Sequence, residues 1–196
     1  MKKIVLTILS LAITIISFAQ INKGQFLIGG SVSFESTKSD YQDNRTYVYN
    51  NFFLSPALGY FFIDKLAAGV RVDFRSYNYK NYGSLVVHQN NTSLSPFARY
   101  YFLPATQKVN VFVDGSYIHN KNKFRNLSSP DFTEKANGYA VAAGPAIFLT
   151  KQVALEFTVG YRHSKTVNYP AAIENKFSTG FGLQIHFGNN KKNGTK

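Results

Sequence analysis

Hydrophobic residues alternate with small or polar ones along most of the chain. The clearest stretch is FSTGFGLQIHF, residues 177 to 187, where Phe177, Thr179, Phe181, Leu183, Ile185 and Phe187 interleave with Ser178, Gly180, Gly182, Gln184 and His186. Successive side chains leave a strand on opposite sides, so this period of two predicts β-strands with one bulky apolar face and one small or polar face. Such segments run over about 25 to 35, 51 to 62, 66 to 78, 92 to 102, 109 to 119, 138 to 149, 152 to 162 and 177 to 187, and no helical period competes with them. Strands of about 11 residues are long enough to cross a bilayer when tilted.

The connections alternate as well. IDK (63 to 65), LPATQK (103 to 108) and TKQ (150 to 152) are short, whereas 36 to 50, 79 to 91, 120 to 137 and 163 to 176 are long and rich in Asn, Lys, Tyr and Ser. Tight turns at one end and long loops at the other are the pattern of an outer-membrane barrel with both termini on the periplasmic side. SPALGYFFIDKLAAGVRV, SPFARYYFLPATQKVNVFV and GPAIFLTKQVALEFTV repeat one plan of proline, aromatic end, tight turn and new strand, which predicts three successive hairpins. Pro56, Pro96 and Pro145 fall inside these strands. A closed barrel has no edge on which a missing N–H is harmless, so either β-bulges are expected there or the registers shift by a residue.

The two faces differ in a way that orients them. Gly29, Ser31, Ser33, Ala57, Gly59, Ala67, Gly69, Ser93, Ser95, Ser116, Ala140, Ala142, Gly144, Thr158, Gly160, Gly180 and Gly182 share the less bulky faces, and within the assigned segments none of the 16 Lys falls among them. A solvated outer face would carry Lys and Glu; small residues suit the crowded interior of a narrow eight-stranded barrel. The bulky face, including Phe26, Ile28, Val32, Phe34, Val70, Phe74, Val111, Leu155 and Phe157, is then expected to face lipid. Phe61, Phe62, Tyr100, Tyr101 and Phe102 at the periplasmic ends, and Tyr77, Tyr79, Tyr117, Tyr139 and Tyr161 at the outer ends, are expected to form two interfacial girdles.

Composition adds export. Met1-Lys2-Lys3 precedes an apolar run from Ile4 to Phe18, and Ser17-Phe18-Ala19 offers small residues at the two positions a signal peptidase reads, which predicts cleavage between Ala19 and Gln20. The run is too short to span a bilayer as a helix. The chain has no Cys, so it forms no disulfide and carries no lipidated Cys. Its net charge of +12 falls to +10 once Lys2 and Lys3 leave with the signal. The cations are scattered rather than gathered into a stripe, and the protein is exported. An anionic lipid surface is therefore the expected partner, and no nucleic acid is.

PALGYFFIDKLAAGVRVDF, SPFARYYF and the alternating last strand resemble the small Gram-negative outer-membrane β-barrels of the OmpX and OmpA-transmembrane type, the outer membrane protein beta-barrel domain or porin-family proteins. The resemblance covers the whole mature chain and speaks to architecture more than to activity. It implies recognition of the final strand by barrel-assembly machinery during biogenesis. Family members usually end on the final aromatic, whereas here Phe187 is followed by GNNKKNGTK.

Candidate chemistry is sparse. Inward parity collects Arg71, Asp73, Arg75, Arg99, Asp114, Glu156 and Arg162, with Glu35 near the outer rim, and four Arg against four acids suggest ion pairs plugging the lumen. A substrate site is the competing reading, but a carboxylate pair for acid–base work needs a cleft and none is evident. His163 and Ser164 are neighbours on one strand and so point to opposite faces. His88 and His119 read as loop or rim residues, and nothing has metal-ligand spacing. KNKFR, in the longest loop, offers Lys121, Lys123 and Arg125 either as contacts to lipopolysaccharide phosphates or as a solvated charge run.

Together these readings predict an all-β, eight-stranded antiparallel transmembrane up-and-down β-barrel over residues 20–188. A signal peptide (1–19) precedes it and a polar basic periplasmic tail (189–196) follows. The expected role is structural or surface-binding, exercised in the outer membrane through four long extracellular loops, with no enzymatic activity and no cofactor. A lipid A-modifying barrel enzyme and a narrow small-solute pore are the alternatives. Expected partners are outer-membrane lipid and lipopolysaccharide, the assembly machinery, and an extracellular ligand that the sequence does not identify.

Overall fold

A computed structural model describes residues 21–40, 46–81, 84–105, 107–126, 129–167 and 172–188. The predicted signal, its cleavage site at Ala19 and Gln20, and the tail lie outside them. The described chain consists of β1 (Phe26–Asp40), β2 (Thr46–Ile63), β3 (Leu66–Asn81), β4 (Ser84–Tyr101), β5 (Val109–Asn126), β6 (Ser129–Phe148), β7 (Val153–Thr166) and β8 (Ile173–Phe187). Each strand pairs antiparallel with the next, and β1 pairs with β8 to close the barrel.

Alternation sorts the side chains as expected. Val32, Phe34, Leu58, Val70, Phe74, Val111, Leu155 and Phe157 are exposed on the outside, whereas Leu27, Ala57, Ala67, Ser93, Ser95, Asp114 and Glu156 are buried inside. Apolar surface outside and polar groups inside suit hydrocarbon as solvent. From Val109 to Tyr117, β5 climbs eight residues; at about 3.4 Å per residue and a tilt near 40° this spans ~21 Å of the bilayer normal.

Four expectations are corrected. First, the stretches taken as long loops are mostly strand. All eight strands have 14 to 20 residues, more than the ~11 that a bilayer crossing requires. Lys121–Arg125 lies inside β5, not in a loop. Above the lipid both faces of a strand meet water, so the hydrophobic alternation fades while the hydrogen-bonded ladder continues.

Second, the prolines need neither bulge nor register shift. Pro56 pairs with Gly30, Pro96 with Val70 and Pro145 with Val111, each in register with the preceding strand. Toward the following strand, two ladder positions drop out: Ser55 and Pro56, Ser95 and Pro96, and Gly144 and Pro145 have no partner there, and the register resumes unchanged. The missing N–H thus opens a short gap in β2–β3, β4–β5 and β6–β7. Gly144 lies in such a gap, where a Cβ would collide with the carbonyl oxygen of Phe157.

Third, four of the ten expected girdle residues face inward. Phe61 and Tyr101 are 0% exposed and pack against each other with ring centroids 6.1 Å apart. Tyr77 lines the lumen, and Tyr79, on the same parity of β3, contacts the Tyr49 ring. The outward periplasmic aromatics are Phe26, Tyr60, Phe62, Tyr100, Phe102 and Phe187, joined by contacts such as Phe26–Tyr60 at 5.1 Å and Tyr100–Phe102 at 5.2 Å. At the outer end Tyr117 and Tyr139 face across the β5–β6 ladder, and Tyr161 meets Phe177 at 5.0 Å. Fourth, Lys176 breaks the rule that no Lys points inward, because β8 already begins at Ile173, above Phe177 on the extracellular side, and carries Lys176 into the lumen.

Closure is uneven. β1 and β8 pair only over Phe26–Gly30 with Leu183–Phe187, although each strand has 15 residues. From mid-depth outward these two edges separate, and Phe177 and Phe181 on β8 are 79% and 77% exposed.

Candidate functional site: the lumen and the outer rim

The periplasmic third of the lumen is filled with rings. Ile21, Leu27, Phe61, Phe97, Tyr101 and Phe112 form a buried cluster with Ala57, Ala67, Ala146 and Ala154. The segment before β1 folds under this end: Gly24 N–H donates to Phe61 C=O, and Lys65 N–H donates to Ile21 C=O, each at 2.9 Å. Lys65 adopts a left-handed φ of 67° in the tight turn after β2, an uncommon conformation for a residue with a Cβ. His186 sits among the rings of Phe61, Tyr101 and Phe148, with centroids 5.5 to 5.9 Å away.

Directly above lies a charge network. Arg99 Nη1 donates to Glu156 Oε1 and Oε2 at 2.8 and 2.9 Å, and its Nε donates to Asp114 Oδ2 at 3.1 Å. Arg71 Nη2 donates to the same Asp114 oxygen at 3.0 Å. Tyr101 Oη and Gln184 Nε2 both donate to Glu156, each at 3.2 Å. Gln184 fits because position 29 is glycine; a Cβ there would overlap its side-chain amide. The guanidinium of Arg99 also stacks over the Phe112 ring at 4.3 Å, and that of Arg71 over Phe97 at 5.0 Å. Two cations and two carboxylates from β3, β4, β5 and β7 thus meet across the bore, with Arg99 only 3% exposed. Truncating Arg99 would leave Glu156 buried without a cation and Asp114 with Arg71 alone.

Of the other inward candidates, Asp73 accepts from Ser55 Oγ at 2.6 Å, Ser93 Oγ at 2.8 Å and Arg162 Nη2 at 3.4 Å. Arg75 lies over the Phe53 ring at 5.0 Å and forms no ion pair among the described residues. Glu35 is exposed and pairs in register with Asn51. Above the Asp73–Arg162 pair the lumen widens into a cavity of about 340 Å³, lined by amides including Gln89, Asn91 and Asn122 and by Arg75, Arg162, Glu174 and Lys176. The sequence reading missed Tyr101, Gln184, Glu174 and Lys176. Parity carried outward from Ser178 and onward from Arg99 would have found the last two and the first.

Outside, Lys121, Lys123 and Arg125 occupy alternate, exposed positions of β5. Lys121 faces Lys135 on β6, and Lys165 on β7 faces Asn137, two residues from Lys135. Below them His119 meets Asn137 and His163 meets Asn175, both at 2.7 Å, and below these stand Tyr117, Tyr139 and Tyr161. Beside the lysines, Phe52, Phe74 and Thr92 border a surface hollow with Lys121 and Lys123. Arg125 is already paired with Asp131 at 3.3 Å. His163 points outward and stacks on Tyr139, whereas Ser164 is buried, so the two diverge. His88 sits on β4 with its Nδ1 against Asn78 Oδ1.

The model of the outer membrane protein beta-barrel domain family matches residues 5–188. No curated protein matches the chain significantly. Similar solved structures include the outer membrane protein OprG from Pseudomonas aeruginosa, 16% identical with a TM-score of 0.57, covering 88% of this chain and 100% of that one. Neisserial surface protein A (NspA) is 18% identical with a TM-score of 0.50, covering 84% of this chain and 98% of that one. At such identities the likeness concerns the fold.

Proposed function

The chain belongs to the outer membrane protein beta-barrel domain family, and from that membership we propose that it is a sealed, non-enzymatic barrel of the bacterial outer membrane that works through its outward surface. Its leader, residues 1–19, is removed between Ala19 and Gln20, and assembly machinery inserts the barrel. The observation that carries this reading is Arg99, buried and bonded to both Asp114 and Glu156. The bore is occupied where a pore needs water, and the two deepest carboxylates are engaged rather than free for proton transfer.

The surface partner is lipopolysaccharide. Aromatics at the interface, then His and Asn, then Lys121, Lys123, Lys135 and Lys165 follow the order of acyl chain, acyl-linkage and sugar polar groups, and phosphate in lipopolysaccharide. Ammonium groups make strong charge-assisted bonds to phosphate, and Phe52 with Phe74 offers an apolar bed beside them. Arg125 contributes less, since Asp131 already neutralises it.

Lipopolysaccharide retained through detergent purification tests this reading. Changing Lys121 and Lys123 to Ala should lower retention several-fold while the barrel still shows its heat-dependent gel shift; Arg125→Ala should change it little. Unchanged retention in the double variant would reduce the lysines to a solvated charge run.

A further inference from the structure

The cavity in the outer half of the lumen has a floor but no exit. Beneath it Asp73 is held by Ser55, Ser93 and Arg162, and below that Arg71, Asp114, Arg99 and Glu156 fill the bore. At about 340 Å³ it falls within the range of small-molecule sites.

Its lining is chemically selective. Arg75, Arg162 and Lys176 face it, with Glu174 as the one acid among the lining residues. Arg75 lies close enough to act electrostatically on both Arg162 and Lys176, opposed by Glu174 at both and by Glu35 at Lys176. Only Arg162 is ion-paired, through Asp73; Arg75 and Lys176 have no carboxylate within salt-bridge distance among the described residues. The amide oxygens of Asn51 and Asn120 are buried at the same cavity without a hydrogen-bond donor. A buried acceptor without a donor is costly, and converging like charges repel. One kind of solute relieves both: an anion bearing hydroxyl groups, its charge between Arg75 and Lys176 and its hydroxyls donating to Asn51 Oδ1 and Asn120 Oδ1.

We propose that this vestibule is a binding site for a small hydroxylated anion of the sugar-phosphate or sugar-acid class, entered from the extracellular side. The solute is held rather than passed, because the charge network closes the path below. None of Lys121, Lys123, Lys135 and Lys165 lines the vestibule, although Arg75 and Asn91 border both it and the hollow beside Lys121 and Lys123.

Isothermal titration of the full barrel in detergent micelles, with glucose 6-phosphate, gluconate, glucose and inorganic phosphate as probes, tests the proposal. At least one of the two hydroxylated anions should bind, and which one does distinguishes phosphate from carboxylate as the anionic group. Glucose should not bind, and inorganic phosphate should bind at least ten-fold more weakly. The double variant Arg75→Gln with Lys176→Gln should weaken binding ten-fold or more, and Asn51→Ala with Asn120→Ala should narrow the gap between the hydroxylated anion and inorganic phosphate. Lys108→Gln, in the periplasmic turn between β4 and β5, should leave binding unchanged. The heat-dependent gel shift establishes that each variant is folded. Failure of both hydroxylated anions to bind the folded wild type, or equal affinity in the Arg75 and Lys176 variant, would overturn the proposal.

Discussion

The periplasmic and extracellular halves of this barrel share the same strands and the same alternation, yet their interiors are built on opposite terms. Below, buried rings and paired charges meet across the bore, and β1 is laddered to β8. Above, amides and excess cations surround a cavity, and β1 and β8 part. Alternation decides which side chains enter a barrel; whether they close it depends on the size of what enters. Arg99, Tyr101 and Phe112 reach across the bore, whereas Asn51, Asn91 and Asn120 are too short to do so.

The largest effect expected from this contrast is between two inward arginines. Arg99→Ala should destabilise the barrel by roughly 3 to 5 kcal/mol in urea unfolding, because Glu156 would lose its cation and Asp114 would keep Arg71 alone. Arg75→Ala should cost about 1 kcal/mol or less, since it gives up a stacking contact with Phe53 and no ion pair. Equal losses would erase the distinction between the halves.

A second difference lies along the β1–β8 seam. Amide protons of residues 31 to 38 on β1 and 174 to 182 on β8 that face the seam should exchange at least ten-fold faster than those of 26 to 30 and 183 to 187, as read by hydrogen exchange in micelles. Uniform protection would mean that the two strands are laddered along their full length. The smallest effect belongs to the rim. Arg125→Ala should change stability by less than about 0.5 kcal/mol, because its pairing with Asp131 is solvent-exposed.

Much of the lower half was legible in the sequence. Period-two alternation with small residues on one face specified the barrel, its inside and its outside, and placed Arg71, Arg99, Asp114 and Glu156 on a common parity. What it hid has physical causes. Tyr100-Tyr101 and Phe61-Phe62 are double aromatics, so one ring of each pair must face inward, and bulk alone does not say which. Past Phe177 and Phe74 the strands leave lipid and lose their hydrophobic rhythm, so Lys176, Glu174 and Tyr77 read as loop or girdle. The prolines looked disruptive because a ladder was assumed to be continuous on both sides; a two-position gap toward one neighbour accommodates each ring. The short seam could not be read at all, since the pairing of first and last strands depends on barrel closure rather than on local pattern.

The central claim is that side chains close the lumen in its lower half, and ion conductance tests it most directly. Purified wild-type protein in planar bilayers should show no steady open current, and Arg99→Ala, which removes the bridge between Asp114 and Glu156, should raise the frequency of openings. A continuous current through the wild type that Arg99→Ala leaves unaltered would contradict the account and make the lumen an aqueous path.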